Sequence, residues 1–166
     1  MLNLLPSIVV LGLAAVAAMH QVSKRWTPPE KDTERLSAGR ALAVATVVQG
    51  AHFAEEAATG FHERLGPLFG LPQIPLSVFV IFNVVWLGIW AASIFGLRSA
   101  RPAAFFAAWF LAIAGMINGI AHPLLGMAAG GYFPGLVSST VIAVACVWLW
   151  HRLQAATAPR PHASVP

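Results

Sequence analysis

Three short stretches of this 166-residue chain carry residue types that could do chemistry. The first is Gln49-Gly50-Ala51-His52-Phe53-Ala54-Glu55-Glu56. On a helix at about 100° per residue, Glu55 falls about 60° to one side of His52 and Glu56 about 40° to the other. One imidazole is thus flanked by two carboxylates on a single face, at i+3 and i+4. The second stretch is Asn118-x-x-x-His122, which also puts its two polar groups one turn apart. The third, Tyr132-x-Pro134-Gly135, is a turn sequence carrying a phenol. The first two stretches lie within apolar sequence, where a charged side chain costs on the order of 2.5–3.5 kcal/mol, so these residues are candidates for a functional site.

Three kinds of chemistry fit the set. In the first, His52 and His122 with Glu55 and Glu56 hold one divalent metal, zinc or iron, for hydrolysis of a lipid-soluble substrate. The spacing is not that of a His-Glu-x-x-His protease helix. Only two acids lie in the apolar segments, short of the four carboxylates of a di-iron bundle. In the second, no metal takes part: one glutamate is a general acid and a His–Glu pair the base. Asn118 and Tyr132 then hold a substrate oxygen, in an isomerase, cyclase or hydratase acting on a lipid-like molecule. In the third, the polar groups serve an ion path, a binding or accessory role, or only helix association. The catalytic candidates are therefore His52, Glu55, Glu56, Asn118, His122 and Tyr132. No nucleotide or flavin signature is present, and the lone Cys146 excludes an internal disulfide and a Cys-rich metal site.

The elements that must position these groups are set by composition. The chain is 58% hydrophobic and 10% charged, against about 25% charged in soluble domains, which points to an integral membrane protein. Its basic residues sit at the ends of apolar runs rather than in a patch, so a net charge of +4 does not imply nucleic acid. The expected fold is an all-α polytopic transmembrane bundle of about five spans. A first span covers 1–22, a polar cytoplasmic loop 23–37, a four-span unit carrying the site 38–153, and a disordered tail 154–166. Within that unit the second span ends near Ala58, and Gly60–Ile74 is expected to be a loop. The third span runs from Pro75 to Leu97, with Phe79, Asn83, Trp86 and Trp90 along one stripe. Pro123 is expected to end or kink the fourth span at His122. The fifth runs from about Leu136 to Leu153.

Counting Lys and Arg sets the orientation. With the N-terminus outside and the C-terminus inside, every basic residue but Arg64 falls on the cytoplasmic side. His52, Glu55, Glu56, Asn118, His122 and Tyr132 then share one level in the outer half of a cell membrane. The expected partners are the bilayer and a lipid-soluble small molecule.

His52-x-x-Glu55-Glu56, Asn118-x-x-x-His122 and Tyr132-x-Pro134-Gly135, in this order and in matching spans, resemble the signature of the HXXEE-motif family of integral membrane proteins. The likeness covers the second to fifth spans and leaves the first outside it. Where the family's last motif continues to a Thr, this chain has Ser138, which keeps the hydroxyl. Members are multi-pass proteins, generally uncharacterised, taken to be enzymes from those motifs. The resemblance implies a site more than it implies a reaction.

Overall fold

Long apolar runs closed by Gly, Pro and charged turns fold here into helices laid side by side. The computed structural model describes residues 5–159; Met1–Leu4 of the expected first span and Arg160–Pro166 of the expected tail lie outside the described residues. The helices are α1 (Leu5–Lys24), α2 (Asp32–Ala58), α3 (Phe61–Leu68), α4 (Leu76–Arg98), α5 (Pro102–Ala128) and α6 (Leu136–Ala156). Two two-residue strands, β1 (Arg25–Trp26) and β2 (Ala158–Pro159), pair antiparallel. They join the end of α1 to the end of α6.

Helix α5 is the centre of the bundle. Its apolar window is 56% buried, against 17% for α4 and 33% for α6. It packs on α1, α4 and α6, and α2 packs on α4 and α6. Two glycines let α5 and α6 approach closely. A Cβ on Gly115 would lie 2.2 Å from Cys146 Sγ, and one on Gly119 would lie 2.4 Å from Ala143 Cβ. This is the small-xxx-small device for close helix packing, and it accounts for Cys146 as a buried packing residue.

Four helices are long and apolar enough to cross a membrane: α1, α4, α5 and α6. Helix α2 is as long as α5 but is not among them, because its last turns carry Gln49, His52, Glu55 and Glu56. Large apolar side chains face outward on the long helices, Met127 and Val137 among them. In water such a girdle would be an aggregation surface.

The structure departs from the sequence expectations at several points. The segment 60–74 is not all loop, because Gly60 turns the chain in the left-handed region (φ 80°) and α3 begins directly after it. Of the two outcomes expected at Pro123, an end or a kink, helix α5 does not take the first: it passes through Pro123 to Ala128. The loss there is one main-chain bond to Gly119 O, and packing on α6 holds both sides of the proline in place. Helix α6 reaches Ala156 and β2 follows, so 154–159 is ordered, anchored by Arg25 and Lys31 to main-chain oxygens of Gln154 and Ala155. In the polar connection, Arg35 bonds Thr27 and Pro28 and pairs with Asp32, so α2 starts six residues before the expected span.

Candidate functional site

Three helices converge at the end of the bundle where α2 and α5 finish and α6 begins. His52 and Glu56 come from the last turns of α2, His122 and Asn118 from α5, and Ser138 from the first turn of α6. The i+4 spacing puts His52 and Glu56 on one face of α2. The tight α5–α6 approach brings His122 across to meet them.

The three residues form one buried group. Nε2 of His52 lies 3.5 Å from Oε1 of Glu56, and Nε2 of His122 lies 3.4 Å from the same oxygen. No two candidate ligand atoms are more than 4.8 Å apart. The two imidazoles meet edge to face, with ring centroids 4.8 Å apart. Exposure is 0% for His52, 6% for Glu56 and 2% for His122. Among the described residues, no Lys or Arg pairs with Glu56, so its only charge partners are the two imidazoles.

Hydrogen bonds at the far side of each ring orient it. Nδ1 of His122 donates to Pro134 O across 2.7 Å. A carbonyl only accepts, so Nδ1 carries a proton, and in the neutral form of the ring Nε2 presents a lone pair. His52 meets Ser138 Oγ at 2.8 Å through Nδ1, and Asn118 Nδ2 at 3.3 Å through Nε2. With the Asn118 amide donating, His52 takes the same tautomer as His122. The His122 lone pair and a Glu56 oxygen then face one point, while the single Nε2 lone pair of His52 is taken by the Asn118 amide, so that nitrogen is open to an ion only when the amide swings away.

Two of the three separations suit a cation: ligands about 2.05 Å from a tetrahedral ion are spaced about 3.3 Å apart, close to the 3.4 and 3.5 Å to Glu56. The third, between the imidazole nitrogens, reaches up to 4.8 Å, beyond the roughly 4.1 Å that two such ligands can span, so the rings must draw together to share an ion. Two imidazoles and one carboxylate are a common catalytic zinc set and also the donor set of non-haem iron sites. Each ring's other nitrogen is anchored, as metal-ligating histidines require. The residues that could hold the ion are His52, Glu56 and His122.

Glu55, expected beside Glu56 as a ligand, does different work. It points to the start of α6, where Val137 N donates to Oε1 at 3.2 Å and Ser138 N to Oε2 at 2.8 Å. Tyr132 Oη donates to Oε1 at 2.7 Å, and the Ser138 hydroxyl also meets this carboxylate. Gly135 at the α6 N-cap has no side chain to offer, so a carboxylate from α2 supplies the cap. A negative charge there is also favoured by the helix dipole. Desolvation, with the Glu55 carboxylate adding to it, holds the Tyr132 hydroxyl above its ordinary pKa, so it stays a donor.

Gly135 was not singled out as a site residue, yet the site depends on it. It sits at φ 84°, and an added Cβ would lie 2.5 Å from His122 Cε1 and 2.9 Å from His52 Cε1. The Pro-Gly pair was the available signal. Helix α3 roofs the group: the Phe61 ring lies 5.7 Å from His122 and 5.9 Å from Phe133. His62 is outside the cluster, stacked on Phe79 and paired with Glu63.

The aromatic stripe of α4 divides. Phe79 reaches the roof, 5.7 Å from Phe61. Trp86 packs on Phe110 at 4.5 Å and Trp90 donates to Ala107 O, both contacts being with α5 below the site. Asn83 bonds back to Phe79 O within its own helix.

No protein-family model matches this chain, no curated protein matches it, and no solved structure matches it.

Proposed function

We propose that this chain is a five-span integral membrane protein of the HXXEE type. Its N-terminus lies outside, and it is an enzyme whose His52, Glu56 and His122 hold one divalent metal for hydrolysis of a lipid-soluble substrate. The observation that carries the reading is the convergence of His52, Glu56 and His122 on one buried point, with no Lys or Arg pairing with Glu56 among the described residues. Burying a carboxylate without compensation is costly, and a cation held between the three groups would remove that cost.

The membrane reading rests on the four apolar helices, with α2 as a fifth span that turns its polar face inward. Among the described basic residues, all but Arg64 lie at the end of the bundle opposite the site. That end is assigned to the cytoplasm.

A divalent ion held by His52, Glu56 and His122 would supply Lewis-acid polarisation of a carbonyl or ester. The chain's own residues hold the geometry. Ser138 fixes the plane of His52 through Nδ1, Pro134 fixes His122, and Phe61 shields the group from water. A metal-free acid–base reaction is the second reading. It is favoured by the continuous path from His52 through Ser138 and Glu55 to the exposed Tyr132, along which a proton could leave.

Metal analysis of detergent-purified protein tests the first reading, with wild type beside His52→Ala, His122→Ala and Glu56→Gln. One equivalent of metal in wild type, lost in all three variants, is expected. Wild type that stays metal-free after reconstitution sinks the metal reading and leaves the acid–base one. For the topology, Arg64→Cys and Arg98→Cys should label from opposite sides of the membrane; labelling from one side refutes it.

A further inference from the structure

At the end of the bundle opposite the histidines, Arg25 lies at the junction of α1, β1 and β2. Its Nε donates to Thr157 Oγ1 at 2.7 Å, and Nη2 donates to the main-chain oxygens of Gln154 and Thr157, each at 3.1 Å. Three of the five guanidinium N–H groups are used, all on neutral acceptors. Among the described residues, no Asp or Glu pairs with this part-buried cation and none accepts from Nη1. Burial without an opposing charge lowers its pKa.

Arg25 lines a cavity of about 210 Å³. Gln21 and Thr27 add polar groups to its wall, and Trp26, Phe105 and Trp109 add aromatic surface. The volume is below the ~300–1,000 Å³ of sites for drug-sized ligands, which suits a compact headgroup rather than a whole lipid or a bulky substrate. The cavity lies between α1 and α5, two helices apolar enough to cross a membrane. Trp26, 38% exposed, has the place of an interfacial aromatic. Lys24, Arg98 and Arg101 lie at the same end of the bundle.

We propose that this cavity binds the phosphate of an anionic phospholipid headgroup, with Arg25 as its charge partner. The two N–H groups of Nη1 remain to donate to phosphate oxygens, and the guanidinium carries the charge that a phosphate pairs with. Basic pockets between membrane helices on the cytoplasmic side recognise lipid headgroups in this way. The lipid, rather than a soluble anion, follows from the apolar walls and from an opening at the level of the helix ends. The inference rests on the membrane reading above and is independent of the metal.

The test is native mass spectrometry of the full chain released from nanodiscs of phosphatidylcholine with or without phosphatidylglycerol. Wild type should retain phosphatidylglycerol over phosphatidylcholine by about fivefold. Arg25→Gln should lose that preference. Because Arg25 also clamps β2, Gln21→Trp, which fills the cavity and leaves the clamp intact, should lose it as well. No preference in wild type, or a preference kept in both variants, overturns the site. Inorganic phosphate that raises the Tm of wild type but not of Arg25→Gln, with no preference for phosphatidylglycerol, assigns the cavity to a free anion and overturns the lipid. A chain that does not enter the bilayer at all overturns the membrane reading and this inference together.

Discussion

His122 and Pro134 are tied by a 2.7 Å hydrogen bond from the ring Nδ1 to the main-chain oxygen. The bond does more than fix a ring plane. It selects the tautomer whose Nε2 lone pair looks at Glu56, and it brings the Pro134-Gly135 turn down onto both imidazoles. The turn between α5 and α6 is therefore part of the site, although it contributes no ligand atom.

The sharpest consequence falls on Gly135. Gly135→Ala would put a methyl group 2.5 Å from His122 Cε1 and 2.9 Å from His52 Cε1, at φ 84°. Both the clash and the left-handed backbone oppose it, so a loss of about 2–4 kcal/mol is expected. Thermal unfolding in detergent should show a lower Tm, and metal content should fall with it. A stable, metal-replete Gly135→Ala protein would mean that the turn does not sit on the histidines.

Glu55 and Glu56 are adjacent in sequence and should behave differently. Glu56→Gln should lose metal while the α6 cap survives. Glu55→Gln should keep stoichiometric metal but lose about 1–2 kcal/mol of stability, because a neutral amide serves Tyr132, Val137 N and Ser138 N less well than a carboxylate. Paired metal analysis and chemical denaturation of the two variants separates them. Equal loss of metal in both would restore Glu55 as a ligand.

How far the sequence reached can be seen at these same residues. The meeting of His52, Glu56 and His122 was legible, because i+4 spacing fixes a helix face and the charge count aligns the ends of α2 and α5. The role of Glu55 was not. Which of two neighbouring carboxylates faces the histidines depends on where the first turn of α6 lands, a packing outcome with no local signature. Helix α3 was hidden by its Gly and Pro content, since Gly60 and Pro67 read as loop residues while packing of Phe61 and Leu65 stabilises the turns between them. The Trp86–Trp90 stripe was visible as a stripe, but its partner Phe110 lies on another helix.

Helix α3 leads to a prediction about access. With Phe61 over His122 and exposures of 0–6% below it, His52, Glu56 and His122 are closed to solvent. Phe61→Ala should open the roof. Labelling of His52 and His122 by diethyl pyrocarbonate, read by mass spectrometry, should then be faster than in wild type, with exposed His20 and His151 as internal standards. If the rates of His52 and His122 do not change relative to those standards, α3 is not the barrier.

Ser138 separates a positioning role from simple packing. Its hydroxyl lies 2.8 Å from His52 Nδ1, and its main-chain N–H bonds Glu55 independently of the side chain. Ser138→Ala therefore removes the anchor of the His52 ring while leaving the main-chain part of the cap in place. Loss of such an outer partner typically weakens metal binding by about 10–100-fold. Ser138→Thr keeps the hydroxyl, and its extra methyl group tests whether the first turn of α6 tolerates branching. The expected order of metal affinity by competition with a chromogenic chelator is wild type, then Thr close to it, then Ala well below, with Tm nearly unchanged across the three. A packing role would reverse the pattern: affinity would hold and Tm would fall, more for the bulkier Thr than for Ala.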